Sequence, residues 1–83
     1  MRKTYNFRKY NSLIGLICDY KGKPTHAEGG LEKGKIEKYE VRGVEITVYM
    51  QAKGCEGHLE VDITSEKKKK IEKFVKILDN QLH

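Results

Sequence analysis

Two stretches in the second half of the chain alternate with a period of two, and each fits the other. In VEITVYMQ, Val44, Ile46, Val48 and Met50 fall on one side, with Glu45, Thr47, Tyr49 and Gln51 on the other. In HLEVDIT, Leu59, Val61 and Ile63 alternate with His58, Glu60, Asp62 and Thr64. Successive side chains of a strand point to opposite faces, so both stretches read as strands with one buried face. The connection AKGCEG holds two glycines and suits a turn. Placing Val48 opposite Val61 also sets Met50 against Leu59 and Ile46 against Ile63. A slip of one residue would turn every apolar side chain to water, so the hairpin has a single register.

Upstream, KIEKYEV ends at Arg42-Gly43, and a tight turn there pairs Val41 with Val44 and puts Tyr39 beside Ile46. Glu37 then faces Val48, so this strand is expected to fray or bulge at its start. From Ser65 onward the period changes. Ile71, Phe74, Val75, Leu78 and Leu82 form one stripe of an amphipathic helix, with Ser65 as the expected N-cap. In the first third, TYNFRKY reads as a short strand with Tyr5 and Phe7 on one face. The apolar run Leu13–Cys18 reads as a strand buried on both faces. The stretch 21–35, rich in glycine and lysine, reads as a flexible polar connection.

The expected fold is therefore α+β: an antiparallel sheet of about four strands with one C-terminal amphipathic helix packed on one face. Its 83 residues are expected to form a single small domain. A chain of this length has a thin core, so a homodimer is expected. No apolar run approaches the roughly 18 residues that a membrane span needs. The N-terminus MRKTYNFRKY lacks the apolar segment of a signal peptide, which makes the cytoplasm the expected location.

GGLEKGKI, residues 29–36, is one residue short of a phosphate-binding P-loop. Such a loop needs Ser or Thr after its lysine to hold magnesium, and it must open a helix. Here Ile36 follows Lys35, and the next residues read as strand, so the match is incidental. Cys18, His26, Cys55 and His58 contain the ligand types for zinc, but structural sites usually show two close-spaced pairs. Cys18 is expected in the core and Cys55 in a loop as a free thiol. Cys55 and His58 lack an orienting third group for nucleophilic catalysis. No catalytic residue, metal site or cofactor is assigned, and the chain is expected not to be an enzyme.

The net charge of +5 is unevenly spread. Residues 1–12 carry four cations and no acid, residues 36–64 three cations and six acids, and residues 65–83 six lysines and three acids. The expected open face of the sheet, with Glu45, Tyr49, Glu60 and Asp62, should repel phosphate and could meet a protein partner. Arg2, Lys3, Arg8 and Lys9 alternate with Tyr5, Phe7 and Tyr10, while Lys69, Lys73 and Lys76 fall opposite the apolar stripe of the helix. Cations interleaved with aromatics can hold a phosphate backbone while stacking on bases. These seven cations are the phosphate-binding candidates, and Tyr5 and Tyr10 are the stacking candidates.

The leading expectation is a small non-enzymatic binding protein for nucleic acid or another polyanion. The alternatives are a protein-binding inhibitor or regulator, of a size common among virus-encoded ones, and a binder of a small anionic nucleotide ligand at a dimer interface.

Overall fold

A computed structural model describes residues 1–54 and 56–82. The chain runs β1 (Arg2–Asn6), a 3-10 turn (Phe7–Lys9), α1 (Tyr10–Asp19), β2 (Lys23–Gly30), β3 (Gly34–Val41), β4 (Val44–Lys53), β5 (Glu56–Thr64) and α2 (Lys68–Leu82). The fold is α+β. Five strands form one antiparallel sheet in the order β1-β5-β4-β3-β2. The central hairpin has the register that the alternation dictates: Val48 pairs with Val61, Met50 with Leu59 and Ile46 with Ile63. The tight turn at Arg42-Gly43 likewise sets Val41 against Val44 and Tyr39 against Ile46.

One face of the sheet is roofed by both helices. Leu13, Leu16 and Ile17 of α1 and Phe74, Val75, Leu78 and Leu82 of α2 join the inward residues of β3, β4 and β5 in one buried cluster, with Tyr5 from β1. Ile46, Val48, Leu59, Val61, Ile63, Leu13 and Leu78 are fully shielded from solvent. No helix among the described residues is long and apolar enough to cross a membrane.

Several expectations change. The run Leu13–Cys18 is helical, not a buried strand. Its buried members Leu13, Leu16 and Ile17 are spaced i, i+3, i+4, while Cys18 is exposed rather than in the core. A short apolar run fits either element by pattern alone. The sheet has five strands because residues 23–30, read as part of a flexible connection, form β2 along β3. Every residue of β2 is exposed, so no apolar alternation marks it. Within the near-P-loop stretch, Gly30 pairs with Gly34 across a short turn, and Gly29 and Gly34 take positive φ of 85° and 108°. The glycines close a hairpin, and a strand follows where a P-loop needs a helix.

Finally, α2 starts at Lys68. Ser65 lies outside it, with its hydroxyl donating to the Gly43 carbonyl at 3.0 Å and accepting from the Lys67 amide at 3.3 Å. Phe7 lies in the 3-10 turn rather than on β1, close against Gly57, where a Cβ would come within 3.0 Å of its ring.

The end of α1 carries a strained residue. Gly22 N–H donates to Ile17 O at 2.8 Å and Lys21 N–H to Cys18 O at 3.0 Å, the bond pair of a Schellman cap. Lys21 therefore sits in the left-handed region, at φ 59°. Glycine is the usual residue there, because a Cβ crowds the adjoining carbonyl. Lys21→Gly should stabilise the fold by about 1 kcal/mol, read as a higher urea midpoint with an unchanged slope; a lower midpoint would contradict this account of the cap.

Candidate nucleic-acid interface

On α2, Lys69, Lys73 and Lys76 are exposed and lie opposite the buried stripe. Spacings of three and four residues stack side chains along one face of a helix, so the three amines line one ridge. Among the described residues, none of them is in an ion pair with a carboxylate.

The N-terminal cations are differently placed. Arg2 lies 4.0 Å from Asp62, which is also 3.6 Å from the N-terminal amine. Lys3 is paired with Asp79 of α2 at 3.2 Å. Arg8 and Lys9 lie in the 3-10 turn, at the end of the sheet away from the Arg42-Gly43 turn. The structure therefore brings Lys69, Lys73 and Lys76 together and leaves the N-terminal four apart from them or partly neutralised.

The proposed stacking groups are engaged elsewhere. Tyr5 belongs to the core, with its hydroxyl near Asp79. Tyr10 is half-buried, and its hydroxyl donates to Glu37. The Tyr5 ring is turned into the core, while that of Tyr10 keeps part of its surface exposed with its hydroxyl committed to Glu37. The interleaving in the sequence does not carry over to one surface, because β1 turns Tyr5 inward while Phe7 and Tyr10 fall in the 3-10 turn and α1.

Glu37 explains why β3 does not fray. It faces the roofed side opposite Val48, with its side chain only 12% exposed. Tyr10 donates to one carboxylate oxygen and Tyr39 to the other, the latter at 3.2 Å, and Lys35 stands 3.8 Å away. A carboxylate can be drawn out of water when charge-assisted hydrogen bonds replace those it loses.

Burial first, and then the Glu37 carboxylate, push the Tyr10 phenol far above its ordinary value near 10. Burial and the Glu37 charge raise Tyr39 as well, while its hydrogen-bonded contact with Tyr10 pulls it back somewhat. A raised phenol keeps its proton in the folded state after the unfolded chain has lost its own. The stabilisation is fully present below pH 10 and is lost as pH rises from there through the folded-state pKa. Tyr10→Phe should therefore lower stability at pH 8 by about 1–2 kcal/mol, since a bond to a charged group is lost. It should also flatten the further fall between pH 8 and pH 11, seen in paired urea midpoints. An equal fall in both proteins would remove Tyr10 from the account.

On the unroofed face, Glu45, Tyr49, Glu60 and Asp62 lie together as their alternation requires. Tyr49 pairs with Glu60, Thr47 with Asp62, and Glu45 with Thr64. The Tyr49 ring lies 5.9 Å from that of His58. Opposite-signed neighbours temper this face: Arg2 and the N-terminal amine reach Asp62. His26 and His58 belong to this face by register, whereas Cys18 projects from α1 on the roofed side. The sheet thus separates these zinc-type ligands, and Cys55 lies outside the described residues. Among the described residues, no three His, Cys, Asp or Glu side chains gather to hold a metal ion.

The pattern does not reveal one further feature. Between the end of α1 and the flank of α2 runs a groove of about 320 Å³, lined by Tyr20, Val41, Val44, Phe74 and Ile77 and rimmed by Arg42, Lys70 and Lys73. The Arg42 guanidinium sits 5.4 Å above the Tyr20 ring, and the Phe74 ring meets Tyr20 edge-on at 6.5 Å. Lys70 is held by its amine donating to the Arg42 carbonyl at 3.2 Å. Lys73 belongs to both the groove and the lysine ridge. Its residues come from four separate elements, so only their shared i, i+3, i+4 flank on α2 was legible beforehand. Lys70 also borders a wider cleft beside Glu40, Glu45 and Glu66, where the cationic rim ends.

Compared with protein-family models, curated proteins and solved structures, the chain matches none of them.

Proposed function

We propose that the protein is a small non-catalytic binding protein for nucleic acid or another polyanion, and that the outward face of α2 carries the contact. The supporting observation is the ridge of Lys69, Lys73 and Lys76, exposed and in no ion pair among the described residues, with Glu72 the acid that shares its side of the helix. Amines carried on a packed helix can replace the counterions of a phosphate backbone without the main chain first being ordered, so only side-chain freedom is lost. Arg8 and Lys9 extend the positive surface at the far end of the sheet, while Arg2 and Lys3 contribute less because Asp62 and Asp79 already occupy them. This reading places the protein in the cytoplasm. A second copy joined along an open sheet edge, β1 or β2, would double the phosphate-binding surface.

The test is fluorescence anisotropy of a labelled oligonucleotide over a range of salt. Affinity should fall steeply with salt, and the slope should shrink when Lys69, Lys73 and Lys76 become alanine. Binding that ignores both salt and these lysines would end the proposal.

A second reading has one observation in its favour. The unroofed face sets Tyr49 directly opposite Glu60 and carries Asp62 and Glu45 further along the same side, a surface suited to a basic protein partner and so to an inhibitor or regulator. Glu45→Lys with Glu60→Lys would abolish such an interaction and leave oligonucleotide binding intact or stronger.

A further inference from the structure

We propose that the groove between α1 and α2 receives an unstacked base of a single-stranded nucleic acid, with Arg42 as a stacking plane and Lys70 and Lys73 on the flanking phosphates. This rests on the reading that the α2 face binds phosphate, and it narrows the ligand from polyanions in general to single strands.

Four observations converge on it. The first is chemistry: an apolar floor made by Tyr20, Val41, Phe74 and Ile77 lies directly beside three cations, and among the described residues no acid lines the groove. A phosphate backbone alone would need the cations and not the floor. Single-strand binders combine the two, because each base offers an apolar face and each phosphate a charge. The second is size. At about 320 Å³ the groove stands at the small end of ligand sites, which suits a planar ring system better than a helix or folded partner.

The third is orientation. Arg42 lies over Tyr20 at 5.4 Å and is itself exposed, so its guanidinium stands on an aromatic ring at the rim of the groove within reach of a ligand. Guanidinium planes accept unstacked bases in this way. The fourth is backbone strain. Arg42 has φ 50° in the two-residue turn between β3 and β4, where Asn or Gly is the favoured residue. An arginine at a left-handed position carries a conformational cost, and such costs gather at binding sites. A duplex keeps its bases stacked inside, so it could reach the ridge but not the groove.

The deciding variant is Arg42→Asn, since asparagine suits the turn and the fold should be at least as stable. Binding is read by anisotropy on labelled oligo(dT) of about 15 nucleotides and on a duplex of equal length. Arg42→Asn is expected to weaken oligo(dT) binding about tenfold, with duplex binding and thermal stability unchanged. Lys70→Gln should act in the same direction with a smaller loss.

Equal losses on single strand and duplex would overturn the inference and leave the phosphate reading standing, because Arg42 would then be one more phosphate contact. No loss on oligo(dT) would overturn it too. So would an acidic, leucine-containing peptide that binds the wild type through Arg42 more tightly than oligo(dT) does. Failure of the wild type to bind either oligonucleotide would instead end the broader proposal.

Discussion

Leu78→Ala should remove a large share of the protein's stability. The side chain is fully shielded at the centre of the α2 stripe, between the second helix and the sheet. Truncating a buried leucine costs about 2–5 kcal/mol, the transfer energy of the lost methyls plus the cavity left behind. A chain of 83 residues has a total of only about 4–12 kcal/mol. A loss of about 3 kcal/mol in a domain this small lowers the melting temperature by about 15 °C. Circular dichroism on heating would show it. Leu31→Ala is the matched control, since Leu31 is 48% exposed and should shift the midpoint by less than about 0.5 kcal/mol. Similar melting temperatures for the two variants would mean that α2 is not packed on the sheet as described.

The second large effect concerns binding. Reversing Lys69, Lys73 and Lys76 to glutamate should eliminate oligonucleotide binding altogether. If each amine neutralises one phosphate of a single strand, the logarithm of affinity falls with the logarithm of salt at a slope of about −2. Between 50 and 200 mM salt that is a loss of about 20-fold in the wild type. The triple reversal replaces three attractions by three repulsions at exposed positions, where the fold has little at stake. Its circular dichroism spectrum and melting point should stay near those of the wild type. Retained affinity with a wild-type salt slope would show that the phosphate contacts lie elsewhere, with Arg8 and Lys9 the next to examine.

These two experiments probe the parts of the molecule that differ most in how far the amino-acid order announces them. The β4–β5 register was legible because every inward residue is apolar and every outward one polar, so one register satisfies both faces. The α2 stripe was legible for the same reason at a different period. Leu13–Cys18 was not, since so short a run is too brief to separate a helix period from a buried strand. β2 was hidden because it buries nothing: its partners are backbone groups of β3, and backbone pairing leaves no trace in side-chain pattern. At the candidate site, the ridge of lysines could be read from spacing within one helix. The groove could not, since Tyr20, Arg42 and Lys70 come together only when the chain has closed. Glu37 shows the converse, a residue that breaks the local pattern and is accommodated by two tyrosines, one of them 27 residues away.

The wholly exposed β2 also divides the sheet into parts of unequal permanence. Its strand adds a ladder of backbone bonds but no side chain to the core, and its register already shifts between Pro24 and His26. Separating it from β3 exposes almost no apolar surface, so the hydrophobic term that holds the other four strands does not resist the separation. β2 is therefore expected to open ahead of the other strands, although the turn that follows it is tied to β4 by Ala52 N–H on the Leu31 carbonyl and by Gln51 on the Glu32 carbonyl; its amides should exchange with solvent faster than those of β4 and β5. Were β2 to separate, the main-chain donors and acceptors along β3 would be bare, a vacant place in the sheet for an extended segment.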